Sequence, residues 1–131
     1  MVQKTKPIAI ARMEKPGQPF STCVQIGDHF HFSGVVVPDT SEAAFPDEEE
    51  QVIAVMQKMC DLLEATGLTV NDVYSATVML AEHMFLYDFL NKRWNIMFGR
   101  CEIKPRRKVF AVAALPFDCI IEIEFDAIKQ S

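Results

Sequence analysis

The chain has 131 residues, half of them hydrophobic and 24% charged. That length and balance fit one domain with a core of its own and exclude a disordered chain. A net charge of -5 disfavours nucleic acid as the main partner, because phosphate neutralisation calls for a cationic face. No apolar run reaches the length of a membrane span.

The opening "MVQKTKPIAIARMEKPG" shows neither a signal-peptide core nor a cleavage site. A soluble protein of the cytoplasm, or of an organellar matrix, is expected. Residues 8–12 predict a short strand after Pro7, followed by the turn "KPGQP". Residues 20–25 and 29–37 predict two strands joined by a tight hairpin at Ile26-Gly27-Asp28. His29 and His31 alternate onto one strand face, where two imidazoles could chelate a metal. No third ligand accompanies them, so no metal is expected.

Residues 35–50 predict a polar loop ending in a helix start. Asp47 can cap, Glu50 follows three residues later as in a capping box, and three acids suit the positive helix N-terminus. Val52, Val55, Met56, Met59, Cys60, Leu62 and Leu63 then recur at helical spacing and predict one buried face. Gly67 supplies a left-handed stop. After the Asn71-Asp72 turn, the β-branched and aromatic residues of 73–81 predict a strand. A second helix is expected over 85–98, burying Leu86, Phe89, Leu90, Trp94 and Met97 and closed by Gly99. Two last strands are expected near 108–113 and 120–125.

The predicted order is β-β-β-α-β-α-β-β: a single α+β domain spanning residues 1–131, with two helices on one face of a mixed sheet. Residues 109–114 lack polar alternation, which predicts burial on both sheet faces. Two helices cover only one face, so a second copy of the chain is expected on the other, as a homo-oligomer. Four scattered cysteines without a C-x-x-C spacing argue against zinc, redox and disulfide frameworks.

The segment "KPRRKVFAVAALPFDCIIEIEF" is apolar, yet Arg106 and Arg107 open it and Glu122 and Glu124 interrupt its far end. Charges beside a core are costly unless paired. Their partner can be a side chain, another subunit or a substrate. Arg107 alone is compatible with an intersubunit salt bridge, Glu122 and Glu124 with a solvated strand face, and Ser33 with a turn hydroxyl. Asn91 is equally compatible with a bond to loop backbone, and Phe20 with core.

In order along the chain, "IGDHFHFSG", "LLEATGLTVNDV", "ATVML" with Asn91 downstream, and the P-x-R, V-A-x-L-P and I-E-I-E motifs of residues 104–124 resemble the RidA (YjgF) family of enamine/imine deaminases. The resemblance implies a chorismate-mutase-like protomer in a homotrimeric barrel, with sites in clefts between subunits. It also implies hydrolysis of a small carboxylate-bearing 2-imino or enamine acid, such as 2-aminoacrylate, to a 2-oxo acid and ammonia. No cofactor is called for.

Matched residue by residue, the family's carboxylate-binding arginine falls on Arg107 and its water-positioning glutamate on Glu122. Substrate-binding positions fall on Ser33, Gly34 and Asn91, on Phe20 where the family has tyrosine, and on Val109 where it often has cysteine. Val35-Val36 also departs from the family pattern. Arginine suits the first role because its fork grips a planar carboxylate through two parallel hydrogen bonds. Two other function classes compete: a non-catalytic metabolite-binding or chaperone-like trimer, and the endoribonuclease or translation inhibitor that the family's other names imply.

Overall fold

A computed structural model describes residues 7–8, 15–38, 47–82 and 84–130. Its strands are β1 (Pro7–Ile8), β2 (Cys23–Ile26), β3 (His29–Val35), β4 (Val73–Ala81), β5 (Arg106–Val112) and β6 (Ile121–Ile128). The helices are α1 (Glu48–Ala65) and α2 (Tyr87–Phe98), and short 3-10 turns occupy Val70–Asp72, Met84–Leu86 and Pro116–Asp118. The expected element order holds. Of the first predicted strand only residue 8 is described; residues 9–12 lie outside the described residues, as do residues 39–46 of the polar loop.

The six strands lie in one sheet in the order β1-β2-β3-β6-β4-β5. Only β4 and β5 pair in parallel, and a parallel pair needs a long crossover, which α2 supplies. β6 therefore returns between β3 and β4, antiparallel to both.

Local chemistry accounts for most of these boundaries. Asp47 caps α1, its carboxylate accepting from the Glu50 backbone N–H at 2.9 Å, with three acids in the first turn. Gly67 leaves α1 at φ +77°, a conformation that costs a residue without Cβ nothing. β4 has the predicted bounds, and Gly27-Asp28 makes the two-residue hairpin.

One face of the sheet is apolar and lies under both helices. Along β6, Ile121, Ile123, Phe125 and Ala127 are buried and their alternates are not. They meet Val78 and Leu80 of β4, Phe32 of β3, and the α1 and α2 stripes in one cluster. Phe32 stacks on Phe125 with ring centroids 4.4 Å apart. The opposite face is polar: Glu122, Glu124, Asp126, His31, Thr77, Arg106 and Lys108 project from it.

Three expectations need correction, and a fourth is qualified. Strand β2 starts at Cys23, so Phe20 sits in the preceding loop. Helix α2 starts at Tyr87, after a 3-10 turn. Cys60 lies at the margin of the α1 stripe and is half-buried, while the polar Gln51 is buried. Gln51 Oε1 accepts from the Ile120 backbone N–H at 3.1 Å, tying α1 to the start of β6. Finally, within the single chain β5 is the sheet's edge, and every one of its residues is exposed or half-buried, so the burial predicted for both its faces is left to a second copy. Among the described residues, no helix is long and apolar enough to cross a membrane.

Candidate active site

β3 and β6 pair with an irregularity that shapes the site. Phe32 faces Phe125 and Val35 faces Ile123, so Ser33 and Gly34 together oppose one residue, Glu124. Such a bulge bends its strand and re-aims side chains. Here it lays the backbone of Gly34 against the Glu122 side chain. A Cβ built on Gly34 would overlap the Glu122 carboxylate, whose Cδ lies 2.7 Å from that point. Only glycine permits this approach. The Ser33 hydroxyl donates to the Ser21 carbonyl at 2.6 Å and its N–H to Thr22 at 3.0 Å, which fixes the loop carrying Phe20.

These residues line a cleft of about 580 Å³, whose walls are apolar side chains including Phe20, Val35, Leu62, Pro116 and Phe117. Phe20 is 55% exposed there, so it is a wall of the cleft and not core. Phe117 and Asp118 hold φ of +59° and +56° at its rim. For a bulky residue such as Phe117 that is an uncommon, strained conformation. Glu122 is half-buried. Removal from water, and secondly the like charge of Glu124, raises its pKa above the ordinary carboxylate value. Glu124 itself is exposed.

Arg107 lies elsewhere. In register, Met79 pairs with Glu122 on one side and Phe110 on the other, so these share the polar face. Val78 pairs with Ile123 and Val109, which share the helix-covered face, and Arg107 precedes Val109 by two residues. Its guanidinium donates from Nη2 to Asn91 Oδ1 at 2.7 Å and to the Tyr87 hydroxyl at 3.3 Å. Its Cζ stands 5.1 Å from the Trp94 ring centre and 5.5 Å from that of Tyr87. Arg106 projects the other way and is exposed.

The seven candidates thus fall into two groups. Phe20, Ser33, Gly34 and Glu122 meet in the cleft; Arg107, Asn91 and the half-buried Val109 share the other face at the sheet edge. Sequence reasoning missed Tyr87 and Trp94 as the seat of Arg107. Their positions four before and three after Asn91 put all three on one helix face, which is the signal that could have found them. It also missed Lys15 and Lys58 in the cleft wall. Lys58 stands four residues before Leu62 on α1, a cation beside the apolar stripe.

The two histidines are engaged on the polar face. His31 Nδ1 is 2.9 Å from Asp126 Oδ1 and His29 Nδ1 is 3.3 Å from the Tyr74 hydroxyl. No three histidine, cysteine or acidic side chains among the described residues cluster to hold a metal ion. Burial raises the Cys23 thiol to about 11, which keeps it protonated and unreactive.

Fold and cleft together define an α+β domain with a charged, small-molecule-sized pocket. Residues 11–129 match the family model described as Endoribonuclease L-PSP. The chain belongs to that family, which includes the RidA (YjgF) proteins its motifs resemble. It is 34% identical over 120 residues to a RutC family protein of Pyrococcus abyssi, covering 88% of this chain and 91% of that one. It is 32% identical over 110 residues to Reactive Intermediate Deaminase A, chloroplastic, of Arabidopsis thaliana, covering 81% of this chain and 56% of that protein. A solved Thermotoga maritima structure superposes with a TM-score of 0.77 at 32% identity, over 89% of this chain and 91% of that one.

Proposed function

We propose that the chain hydrolyses reactive 2-imino acids to 2-oxo acids and ammonia, at sites that two copies complete together. The observation that carries this reading is the split between the two groups. A carboxylate-gripping arginine and a half-buried carboxylate base stand on opposite faces of one sheet, so a single protomer cannot offer both to one small substrate. The edge strand β5 carries Arg107 where a neighbouring copy can reach it. A homotrimer of the family's kind closes such contacts head to tail.

In this reading Arg107 receives the substrate carboxylate. Asn91 at 2.7 Å and the Trp94 face hold the guanidinium plane. The longer Tyr87 bond, from the same Nη2, is the one a carboxylate displaces when it takes the fork bidentately. The imine carbon then lies beside Glu122 of the other copy. A protonated imine is already electrophilic, so catalysis needs orientation and a positioned base. Glu122 accepts a proton from water as the water oxygen bonds to the imine carbon and the C=N π electrons move to nitrogen. It returns that proton to the amine. The C–N bond breaks as the hydroxyl oxygen forms the carbonyl, and its released proton leaves with ammonia as ammonium. A base with a raised pKa is matched to both halves of this exchange.

The test is ammonia release from freshly generated 2-aminoacrylate and 2-iminobutanoate, with and without protein. Acceleration that Arg107→Ala and Glu122→Gln each abolish is expected. Release at the uncatalysed rate would reject the reading. The family's endoribonuclease description finds less support in a chain of net charge -5.

A further inference from the structure

The imine carbon of a 2-imino acid carries two groups, the carboxylate and a side chain. On the deaminase reading above, the carboxylate leaves toward Arg107 of a second copy. The side chain therefore falls to the copy that supplies Glu122. What that copy offers it is the cleft of about 580 Å³. That volume lies in the range of pockets that enclose drug-sized ligands, far more room than a methyl or ethyl group fills.

A run of contacts sets one aromatic wall beside the base. Glu122 lies against the Gly34 backbone, the neighbouring Ser33 hydroxyl donates to the Ser21 carbonyl at 2.6 Å, and Phe20 precedes Ser21. The Gln18 side-chain amide braces the same loop, donating to the Phe20 carbonyl at 2.8 Å and to the Thr22 hydroxyl at 3.2 Å. The Phe20 backbone is thus held while its side chain stays 55% exposed. Phe117 supplies a second wall from the turn that leads into β6. It lines the same cleft, partly exposed, at φ +59°. Backbone strain of this kind persists where the surrounding structure imposes it, and it gathers at ligand sites.

The polar side chains of the lining are already engaged. Besides Gln18 and Ser33, the Lys58 ammonium stands 3.4 Å from the Val36 carbonyl oxygen, and Lys15, Thr22 and Lys58 have further partners within the chain. Apart from the Glu122 carboxylate, a ligand therefore meets chiefly apolar surface, with Phe20, Val35, Pro116 and Phe117 among its walls. Exposed aromatic rings in a concave site gain most when an apolar group covers them. We infer that the preferred substrate is a 2-imino acid with a bulky apolar side chain, and that Phe20 and Phe117 are the residues that select it.

This inference rests on the deaminase reading, and its test separates the two. The probes are 2-imino-4-methylpentanoate and 2-iminobutanoate, generated by an L-amino-acid oxidase from L-leucine and L-2-aminobutanoate and followed by competition with semicarbazide trapping. Binding of the corresponding 2-oxo acids, and of 2-oxoglutarate as a charged ligand of similar length, is measured beside them by calorimetry. The wild-type chain is expected to favour the leucine-derived imine in kcat/KM by about tenfold or more, the scale of two further carbons taken out of water. The paired variant Phe20→Ala with Phe117→Gly should collapse that ratio. Phe20 sits in an exposed loop and glycine suits the backbone at 117, so the fold should survive. Phe20→Leu with Phe117→Leu should retain the ratio, which separates an apolar wall from a loop anchor.

Equal kcat/KM for both imines, a ratio that the alanine–glycine pair leaves intact, or one that the leucine pair also loses would overturn the inference with the deaminase reading standing. So would 2-oxoglutarate bound as tightly as 4-methyl-2-oxopentanoate. Turnover of neither imine, with 4-methyl-2-oxopentanoate bound about tenfold tighter than 2-oxobutanoate through the two rings, would retain the ligand class and reject the deaminase. Turnover of neither, with those two 2-oxo acids bound alike, would reject both.

Discussion

Two inactive variants of this chain should make an active protein. Arg107→Ala removes the carboxylate grip and leaves Glu122 intact; Glu122→Gln removes the base and leaves Arg107 intact. Each alone is expected to lose about 10²-fold or more in turnover. The two groups stand on opposite sheet faces, so on the proposed shared site each centre would draw Glu122 from one copy and Arg107 from another. When the two chains are mixed 1:1, a site is intact if its Glu122 donor is the Arg107→Ala chain and its Arg107 donor is the Glu122→Gln chain. Random assembly makes that about a quarter of all sites, whatever the closed symmetry. Co-expression with two affinity tags, sequential purification of the mixed species and an ammonia-release assay would measure it. In the purified mixed trimer, whether 2:1 or 1:2, one head-to-tail site in three is intact, so recovery near a third of the wild-type rate is expected. A mixed oligomer, verified by native mass spectrometry, that is no more active than its parents would refute the shared site.

The adjacent arginines should not be equivalent. Arg107→Lys should lose most activity, since an ammonium cannot reproduce the fork held by Asn91 and Trp94, whereas the exposed Arg106 should tolerate lysine; paired kcat/KM measurements decide this. Glu122→Gln should also change stability in a pH-dependent way. A carboxylate whose folded pKa is raised binds more protons in the folded state, so its ionisation lowers stability as pH rises from the ordinary carboxylate value through the raised one. The variant should therefore melt above the wild type at pH 7 to 8, with the difference vanishing below about pH 4, where both states are protonated; thermal melts across that range read it. Gly34→Ala should cost turnover about as much as losing the base itself, near 10²-fold, because the new methyl takes the space of the Glu122 carboxylate. Activity near wild type in that variant would show that Glu122 can act from another position.

Much of the scaffold was legible because its signals are local. Asp47 with its trailing acids, the φ > 0 demand met by Gly67, and the β-branched run of β4 each announce an element without reference to the rest of the chain. The alternation Ile-Glu-Ile-Glu likewise told which side of β6 faces water. What stayed hidden depends on partners far away in sequence. The apolar content of β5 pointed to burial on both faces, but that it forms the sheet's edge in the single chain is decided by the strand order, which nothing in residues 106–112 encodes. Gln51 is not among the apolar positions that announced the buried face of α1, and its burial goes with one backbone N–H, at Ile120, that needs an acceptor. The separation of Arg107 from Glu122 is a matter of parity across three strands. The alternation could separate Arg106 from Arg107, but only the pairing of β4 with both β5 and β6 sets Arg107 against Glu122.

The turn between β5 and β6 has an implication for how this chain can change. Phe117 and Asp118 sit one after the other in the left-handed region, which costs a residue such as Phe117 roughly 1–2 kcal/mol and an aspartate less. Asparagine or glycine at these positions would relieve that tension, against a total folding stability of only about 5–15 kcal/mol for a typical domain. A population of variants selected for heat resistance would therefore be drawn to residue 117 early. Yet Phe117 is also a wall of the Glu122 cleft, and replacing it with glycine opens the rim. Thermal robustness and pocket shape are thus coupled through a single backbone angle, so selection for one drags the other along.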